Sequence, residues 1–299
     1  MFGKELDAAL EEWLTFREAE GLSPSTLRSY RDHIHIFVRV LGERELTPLT
    51  FAAVFREYAQ EHAVASCQTI YTSVKVFLKS IDHLDLAGSM RKPRGTIPAK
   101  RVYTYGQLRT LFAVLQDDRS PLGVRDHAIV SLLRYCGLRS SEVCNLHLDD
   151  FRDREDVIQI AGTKSRYSRR VVPLILPCSQ ALSVYLGRGR PKLVRARQSR
   201  DHGDYVFLTD TGRVLSRNTI RLMLQRRSLE VGFALSSHRF RHTWTTAHVG
   251  ARTSPTAIGH LAGWSPKTLY EMMNTYSHPD VGMLREAQER AFADGRLGR

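Results

Sequence analysis

The sequence is poor in everything that would staple a small protein together or anchor it in a bilayer. No apolar run approaches the ~18 residues of a membrane span. The opening stretch, MFGKELDAALEEW, is acidic and amphipathic where a secretion signal is basic and then apolar. The four cysteines, Cys67, Cys136, Cys144 and Cys178, form no C-x-x-C pair and no Cys/His group at zinc spacing. These lacks argue against a membrane protein, a disulfide framework and a structural metal module. They leave free thiols in a reducing, cytoplasmic setting as the expectation. Internal repeats and low-complexity tracts are also missing, and 299 residues suffice for two ordinary domains with real cores.

Acidic residues are scarce in only part of the chain. Against 44 Lys and Arg there are 31 Asp and Glu, a net charge of +13 and a pI near 9.9. Residues 1–90 carry 9 basic and 13 acidic side chains, net −4, so residues 91–299 carry +17. An excess so placed points to a polyanion, nucleic acid first, bound mainly by the second part, although net charge alone also serves solubility.

In GLSPSTLRSYRDHIHIFVRVLG, Ser23 reads as an N-cap, Pro24 as the first helical residue, and Leu27, Tyr30, Ile34, Phe37, Val38 and Leu41 as a buried stripe ending at Gly42. Similar periodicity in LDAALEEWLTFREAEG, TFAAVFREYAQEH and ASCQTIYTSVKVFLKSI predicts four short helices before residue 82, with no strand among them. The stretch MRKPRGTIPAKR reads as an extended basic linker over 91–101. Thr104 and Gln107 then form a capping box that opens a second domain, 102–299. That domain is expected to be mostly helical, with DVIQIAG and SRRVVPL as a hairpin joined by TKSRY, a further strand in YVFLTDTGR, and helices from Ser216 to Phe292.

The segment SSHRFRHTWTT concentrates cations. On a helix at ~100° per residue, Arg241, His242 and Thr245 fall within roughly 60° of His238, while Phe240, Trp244 and Ala247 take the opposite, apolar side and Arg239 points sideways. Alone, H-x-x-R is common on solvated helices. It has company. In YCGLRSSEV, Arg139 follows a helix break and Glu142 stands three residues on, a guanidinium placed to grip phosphate. Lys164 sits at the hairpin tip with Arg166, Arg169 and Arg170 nearby, and Trp264, Tyr270 and Tyr276 follow near the C-terminus.

Taken in order, Gly-Leu-Arg-x-x-Glu, a hairpin lysine, His-x-x-Arg, Trp-Ser and a late Tyr-x-His resemble the tyrosine recombinase (phage integrase) family, and the chain is similar in size to its Xer-type members. GLSPSTLRSYRDHI also looks like the start of that family's helical core-binding domain. The resemblance implies a mainly α fold with a small β-sheet, an N-terminal helical bundle of SAM-like core-binding type over 1–90, and an α+β catalytic domain. It implies that Arg139, His238 and Arg241 bind the scissile phosphate, that Lys164 is the general acid, that Glu142 supports Arg139, and that Tyr276 is the nucleophile. Trp264 takes the position that is histidine in most Xer-type members, since it lies 23 residues past Arg241 and His260 is four too early. The 12-residue gap from Trp264 to Tyr276 is a few longer than usual, which keeps Tyr270 as a competitor.

By the same resemblance the protein is a site-specific recombinase that cuts and rejoins DNA through a 3′-phosphotyrosine, without metal, cofactor or ATP. Its partners would be duplex DNA with inverted-repeat half-sites, a homotetramer or paired dimers on that DNA, and an accessory or paired recombinase. The tail PDVGMLREAQERAFADG, with Val281, Leu284, Ala287 and Phe292 at near-helical spacing, packs either on its own domain or on a neighbouring protomer. Further DNA contacts are expected from Arg91, Lys92, Arg94, Lys100, Arg101, Arg166 and Arg169. Because a DNA clamp should not be net negative, Arg28, Arg31, Lys75 and Lys79 are expected to share one basic face. Three rivals stand beside this reading. They are a metal-dependent nuclease using Asp149, Asp150, Asp153, Glu155 and Asp156, a non-catalytic DNA-binding protein of the same fold, and a type IB topoisomerase.

Overall fold

The fold is that of a computed structural model, which describes residues 2–89, 91–95, 101–152, 156–162, 167, 169–195, 203–276, 285 and 289. The chain divides into two units, Met1–Ala99 and Lys100–Arg299, each with its own core. Lys100, Lys164, Arg166, Asp153, Glu155 and the tail residues Val281, Leu284, Ala287 and Phe292 lie outside the described residues.

The N-terminal unit starts with α1 (Gly3–Ala19), α2 (Pro24–Leu41), α3 (Pro48–Glu61) and α4 (Val64–Ser80). Ser23 Oγ accepts the Thr26 amide at 3.3 Å, Pro24 presets the first turn, and Gly42 closes α2 at φ +64°, a conformation that glycine adopts at little cost. Leu27, Ile34, Phe37 and Leu41 bury on one stripe, and the rings of Phe37, Phe51, Phe55 and Tyr71 interlock with centroids 5.2–6.2 Å apart. The four expected helices are present but run 14–18 residues rather than being short, and a fifth, α5 (Leu84–Ser89), adds to them. The basic stretch after it stays with this unit at least as far as Gly95. Gln68 Nε2 donates to the Pro93 carbonyl at 2.9 Å, and Gly95 lies so close to Val64 that a Cβ there would meet Cγ2 at 2.6 Å.

The second unit opens as the capping box requires, with Thr104 Oγ1 and the Gln107 side chain each taking the other's backbone amide. Then follow α6 (Tyr105–Asp117), α7 (Pro121–Tyr135) and α8 (Ser140–Cys144), and an antiparallel sheet of β1 (Phe151–Arg152), β2 (Val157–Ile160) and β3 (Arg170–Pro173) in that order. A helical run follows, α9 (Leu176–Val184), a π-helical turn and α10 (Arg190–Arg195). The unit continues with α11 (Arg217–Val231), α12 (Ser237–Gly250), α13 (Pro255–Ala262) and α14 (Pro266–Tyr276).

Two expectations are corrected. YVFLTDTGR is not a strand but a buried plug held by isolated bridges, His147 to Tyr205 and Leu208 to Val214. Val206, Phe207 and Leu208 are all buried, so no alternating face exists to pair as an edge, and Phe207 stacks on Tyr185 at 5.1 Å instead. Conversely, Phe151 and Arg152, which lie among the carboxylates weighed for a nuclease and outside the expected strands, form the third strand. A buried charge network is also invisible to sequence patterning. Asp126 is fully enclosed and accepts from Arg125, Arg226 and Arg227, and Arg227 extends to Asp118 and Glu230. The expected break after α7 is Gly137, at φ +60°, where a Cβ would stand 2.5 Å from Cδ2 of buried Trp244.

Gly137→Ala therefore combines left-handed strain with a clash against a core ring, and is expected to destabilise the unit by about 2 kcal/mol or more. Urea or thermal unfolding of the purified variant checks this, and an unchanged midpoint would sink it.

Candidate active site

The site is assembled around α8. Arg139 caps that helix, and the Glu142 carboxylate folds back to accept the Arg139 amide and its guanidinium, both at 2.8 Å. Strand alternation supplies the next part. Ile158, Ile160 and Val172 point inward from the hairpin, and the register that pairs Ile160 with Arg170 sends Arg170 to the same buried face. An enclosed guanidinium needs a counter-charge. Arg170 finds it in Glu142, donating to both carboxylate oxygens at 3.0 Å, while its Nε donates to the Leu261 carbonyl at 2.7 Å. Gly263 makes room, since a Cβ there would lie 2.7 Å from the same guanidinium.

α12 brings the rest. Phe240 and Trp244 enter the core as expected, but Arg241, His242 and Thr245 are buried too, and Ala247, assigned to the inner side, is exposed. The helix is therefore enclosed on two flanks at its N-terminal half and emerges only later, because α7, α13 and α14 all pack on it. Arg241 ties two of these elements together, donating to the Gly137 and Ala262 carbonyls at 2.6 Å each, with Trp264 beneath it at 5.6 Å. Arg239 does point aside, lying over the Tyr103 ring at 4.1 Å and donating to the Val102 carbonyl, so it fastens the incoming chain to α12.

Electrostatics follow from this packing. Burial alone would raise the Glu142 pKa, but the hydrogen bonds and charge of Arg170, helped by Arg139, hold it below the ordinary range. Burial, followed by repulsion from Arg139, pushes the Arg241 guanidinium down to about 9 against the pull of Glu142, with Arg170 adding to the repulsion. Three guanidinium groups thus share one carboxylate, a surplus that an anion would relieve. The Arg139 side chain is 39% exposed, so the surplus opens to solvent there, and His238, three residues before Arg241 on α12, is exposed as well. Among the described residues no three His, Cys, Asp or Glu side chains converge as a metal-binding group.

Of the other candidates, Trp264 is buried against Arg241 whereas His260 is exposed on α13. Tyr270 is 71% exposed on α14, which ends at Tyr276, whose side chain lies outside the described part of the structure. Arg169 is exposed next to buried Arg170. The sequence marks Arg170 and His242 only as neighbours of the motif residues. Arg170 is legible in principle, since in SRRVVPL it alternates in phase with Val172, and a cation in phase with core residues signals a buried ion pair.

In the N-terminal unit, Lys75, Lys79, Arg91 and Lys92 line a hollow of about 590 Å³ with Tyr71, Thr72 and Val76. Arg31 does not join them. α2 lies between α1 and α4, turning Thr26, Ser29 and Tyr30 toward the α4 side, where His33 bonds Ser73, and Arg31 toward α1, where it pairs bidentately with Glu11. Arg28 and Arg31 are three residues apart on α2, hence on one flank, and the expected four-residue face is split. Arg94 and Arg101 are exposed.

A family model described as the phage integrase family matches residues 101–282, which contain every motif from Arg139 to His278. The chain belongs to the phage integrase family. Tyrosine recombinase XerC of Myxococcus xanthus is 31% identical over 281 residues, covering 87% of this chain and 90% of that one. Tyrosine recombinase XerA of Thermococcus kodakarensis is 26% identical over 292 residues and 96% of each chain. The structure of the Tn1549 transposon integrase in complex with circular intermediate DNA shares the fold, with a TM-score of 0.75 at 18% identity over 96% of this chain and 99% of that one. The protein is a Xer-like tyrosine recombinase, mostly helical with a small antiparallel sheet, and no described helix is long and apolar enough to cross a membrane.

For this recombinase, Glu142→Gln strips the counter-charge from buried Arg170 and is expected to cost about 3–5 kcal/mol, part of which Glu142→Gln with Arg170→Met restores. Because the folded pKa of Glu142 is depressed, its contribution is complete above the ordinary glutamate range and is lost as pH falls through the lower folded value. Urea unfolding of the wild type from neutral to acid pH should show that decline, and the double variant should lack it.

Proposed function

We propose that this protein is a site-specific DNA recombinase that breaks and rejoins strands through a 3′-phosphotyrosine on Tyr276, using neither metal nor ATP. The observation that carries the reading is the guanidinium surplus around Glu142, with Arg139 on its exposed side. A phosphodiester entering there gains charge as it becomes pentacoordinate, and preformed cations in a half-enclosed site act on that charge without reorganising. Arg139 and Arg241 neutralise it, His238 donates to it, and Trp264 packs the Arg241 side of the pocket.

The tyrosine oxygen bonds to phosphorus while the bond to the 5′ oxygen breaks, and Lys164 delivers a proton to that leaving oxygen. A phenol of pKa ~10 attacks at neutral pH only if its own proton is taken up as the bond forms. The phosphotyrosine keeps the free energy of the original ester, so the 5′ hydroxyl of a second strand reverses the step and strands exchange. Duplex DNA with inverted-repeat half-sites, bound by a homotetramer, is the partner this chemistry calls for. That the Tn1549 integrase, which shares the fold, was solved in complex with circular intermediate DNA supports DNA as the partner. Within the N-terminal unit, the hollow of Lys75, Lys79, Arg91 and Lys92 is the surface for the phosphate backbone.

Trapping on a library of nicked, partly randomised duplexes in EDTA, with mass spectrometry of the adduct, tests the reaction. The expected product is a 3′-phosphodiester on Tyr276, absent in Tyr276→Phe and retained in Tyr270→Phe, and Arg139→Ala or Arg241→Ala should slow its formation ~10²–10³-fold. An adduct on Tyr270 would move the nucleophile. Tight DNA binding without any adduct would favour a non-catalytic DNA-binding protein. Separately, Lys75→Glu with Lys79→Glu should weaken DNA binding and lower its salt slope by about one for each phosphate that is no longer neutralised, whereas Arg31→Gln should leave both unchanged.

A further inference from the structure

The fold encloses an imidazole that the reaction above does not use. His242 lies one turn beyond His238 on α12 and is 5% exposed, and the two Nε2 atoms stand 2.7 Å apart with the rings crossed at 81°. Nitrogens that close share a single proton. One Nε2 donates and the other accepts, and a neutral imidazole carries only one N–H. The accepting ring, if neutral, therefore carries its own proton on Nδ1.

We infer that His242 is a positioning residue for strand cleavage, holding His238 in the form that is protonated at Nδ1 and so presents a donor to the scissile phosphate. This rests on the proposed role of His238 as a phosphate ligand. A neutral His238 with its proton on Nε2 would spend it on His242 and turn a bare Nδ1 lone pair toward the phosphate oxygens, which repels them. With His242 donating, His238 keeps its N–H for the substrate. When exposed His238 carries a second proton drawn from solvent, both of its nitrogens are donors, and His242 must switch to accepting at Nε2. A neutral imidazole does so by moving its proton to Nδ1. A glutamine amide can play both parts by turning over, and a phenyl ring can play neither.

The test combines ring ¹⁵N NMR of histidine-labelled enzyme with single-turnover cleavage of a nicked duplex. His238→Ala assigns the resonance, and thermal unfolding and DNA affinity show that each variant is folded. His238 is expected as the Nδ1–H tautomer in the wild type and as a mixture in His242→Phe. His242→Phe should cleave about 10–100-fold more slowly with unchanged DNA affinity, as when a partner that orients a histidine is removed, and His242→Gln should recover most of the rate. An Nε2–H tautomer on His238 in the wild type would overturn the inference, as would full-rate cleavage by His242→Phe or equal slowing in folded His242→Gln. His238→Ala separates the two layers. If it cleaves at the wild-type rate, the phosphate-ligand reading falls and takes the inference with it, whereas a slow His238→Ala beside a fast His242→Phe removes the inference alone.

Discussion

The carboxylate of Glu142, closed in between the guanidinium groups of Arg139 and Arg170, is the interaction on which the site depends. A lone buried carboxylate would take up a proton, and two neighbouring guanidinium groups without one would repel each other. Together they form a joint with little slack, since planar forks meeting a carboxylate fix angle as well as distance. Arg170 extends that joint to the Leu261 carbonyl, and Arg241 adds a second span from Gly137 to Ala262. Four segments separated in sequence are held in register by polar contacts whose geometry tolerates little drift. A buried ion group of this kind adds little net stability, because desolvation offsets most of the attraction. Its physical worth lies in orientation, and in leaving positive charge unspent on the solvent side.

The same economy of charge separates the two units. In the N-terminal unit three of the acids that make it net negative are engaged with arginines at its surface, Glu11 with Arg31, Glu57 with Arg44 and Glu20 with Arg17. Exposed pairs of this kind contribute little to stability. They do remove arginines from the pool that can meet a polyanion, and leave Lys75, Lys79, Arg91 and Lys92 around one hollow. Net charge is a poor guide to this unit, because it averages over faces that the fold keeps apart.

Local chemistry is readable wherever a residue acts on its immediate neighbours. Ser23 with Pro24, and Thr104 with Gln107, start helices through bonds that span three residues, so the sequence contains both partners side by side. The hairpin of β2 and β3 is legible for the same reason. YVFLTDTGR misleads because three consecutive buried residues look strand-like whether they pair in a sheet or plug a core. The cations of SSHRFRHTWTT are visible as a cluster, but not which of them is buried, since that depends on α7, α13 and α14 closing over one half of α12.

By itself the sequence determined the first four helices, the hairpin, the concentration of basic residues after residue 90 and the set of motifs that marks the family, but not α5 or the helical run of α9 and α10. Each of these rests on side chains and backbone within a few residues of one another. Only the tertiary structure decided that Arg170 is the counter-ion of Glu142, that Arg239 serves the chain entering the domain, that Arg31 turns away from Lys75, and that His242 meets His238 from a buried position. Those assignments depend on which distant element supplies the partner and how much water it excludes, and a buried charge or imidazole takes its character from that partner.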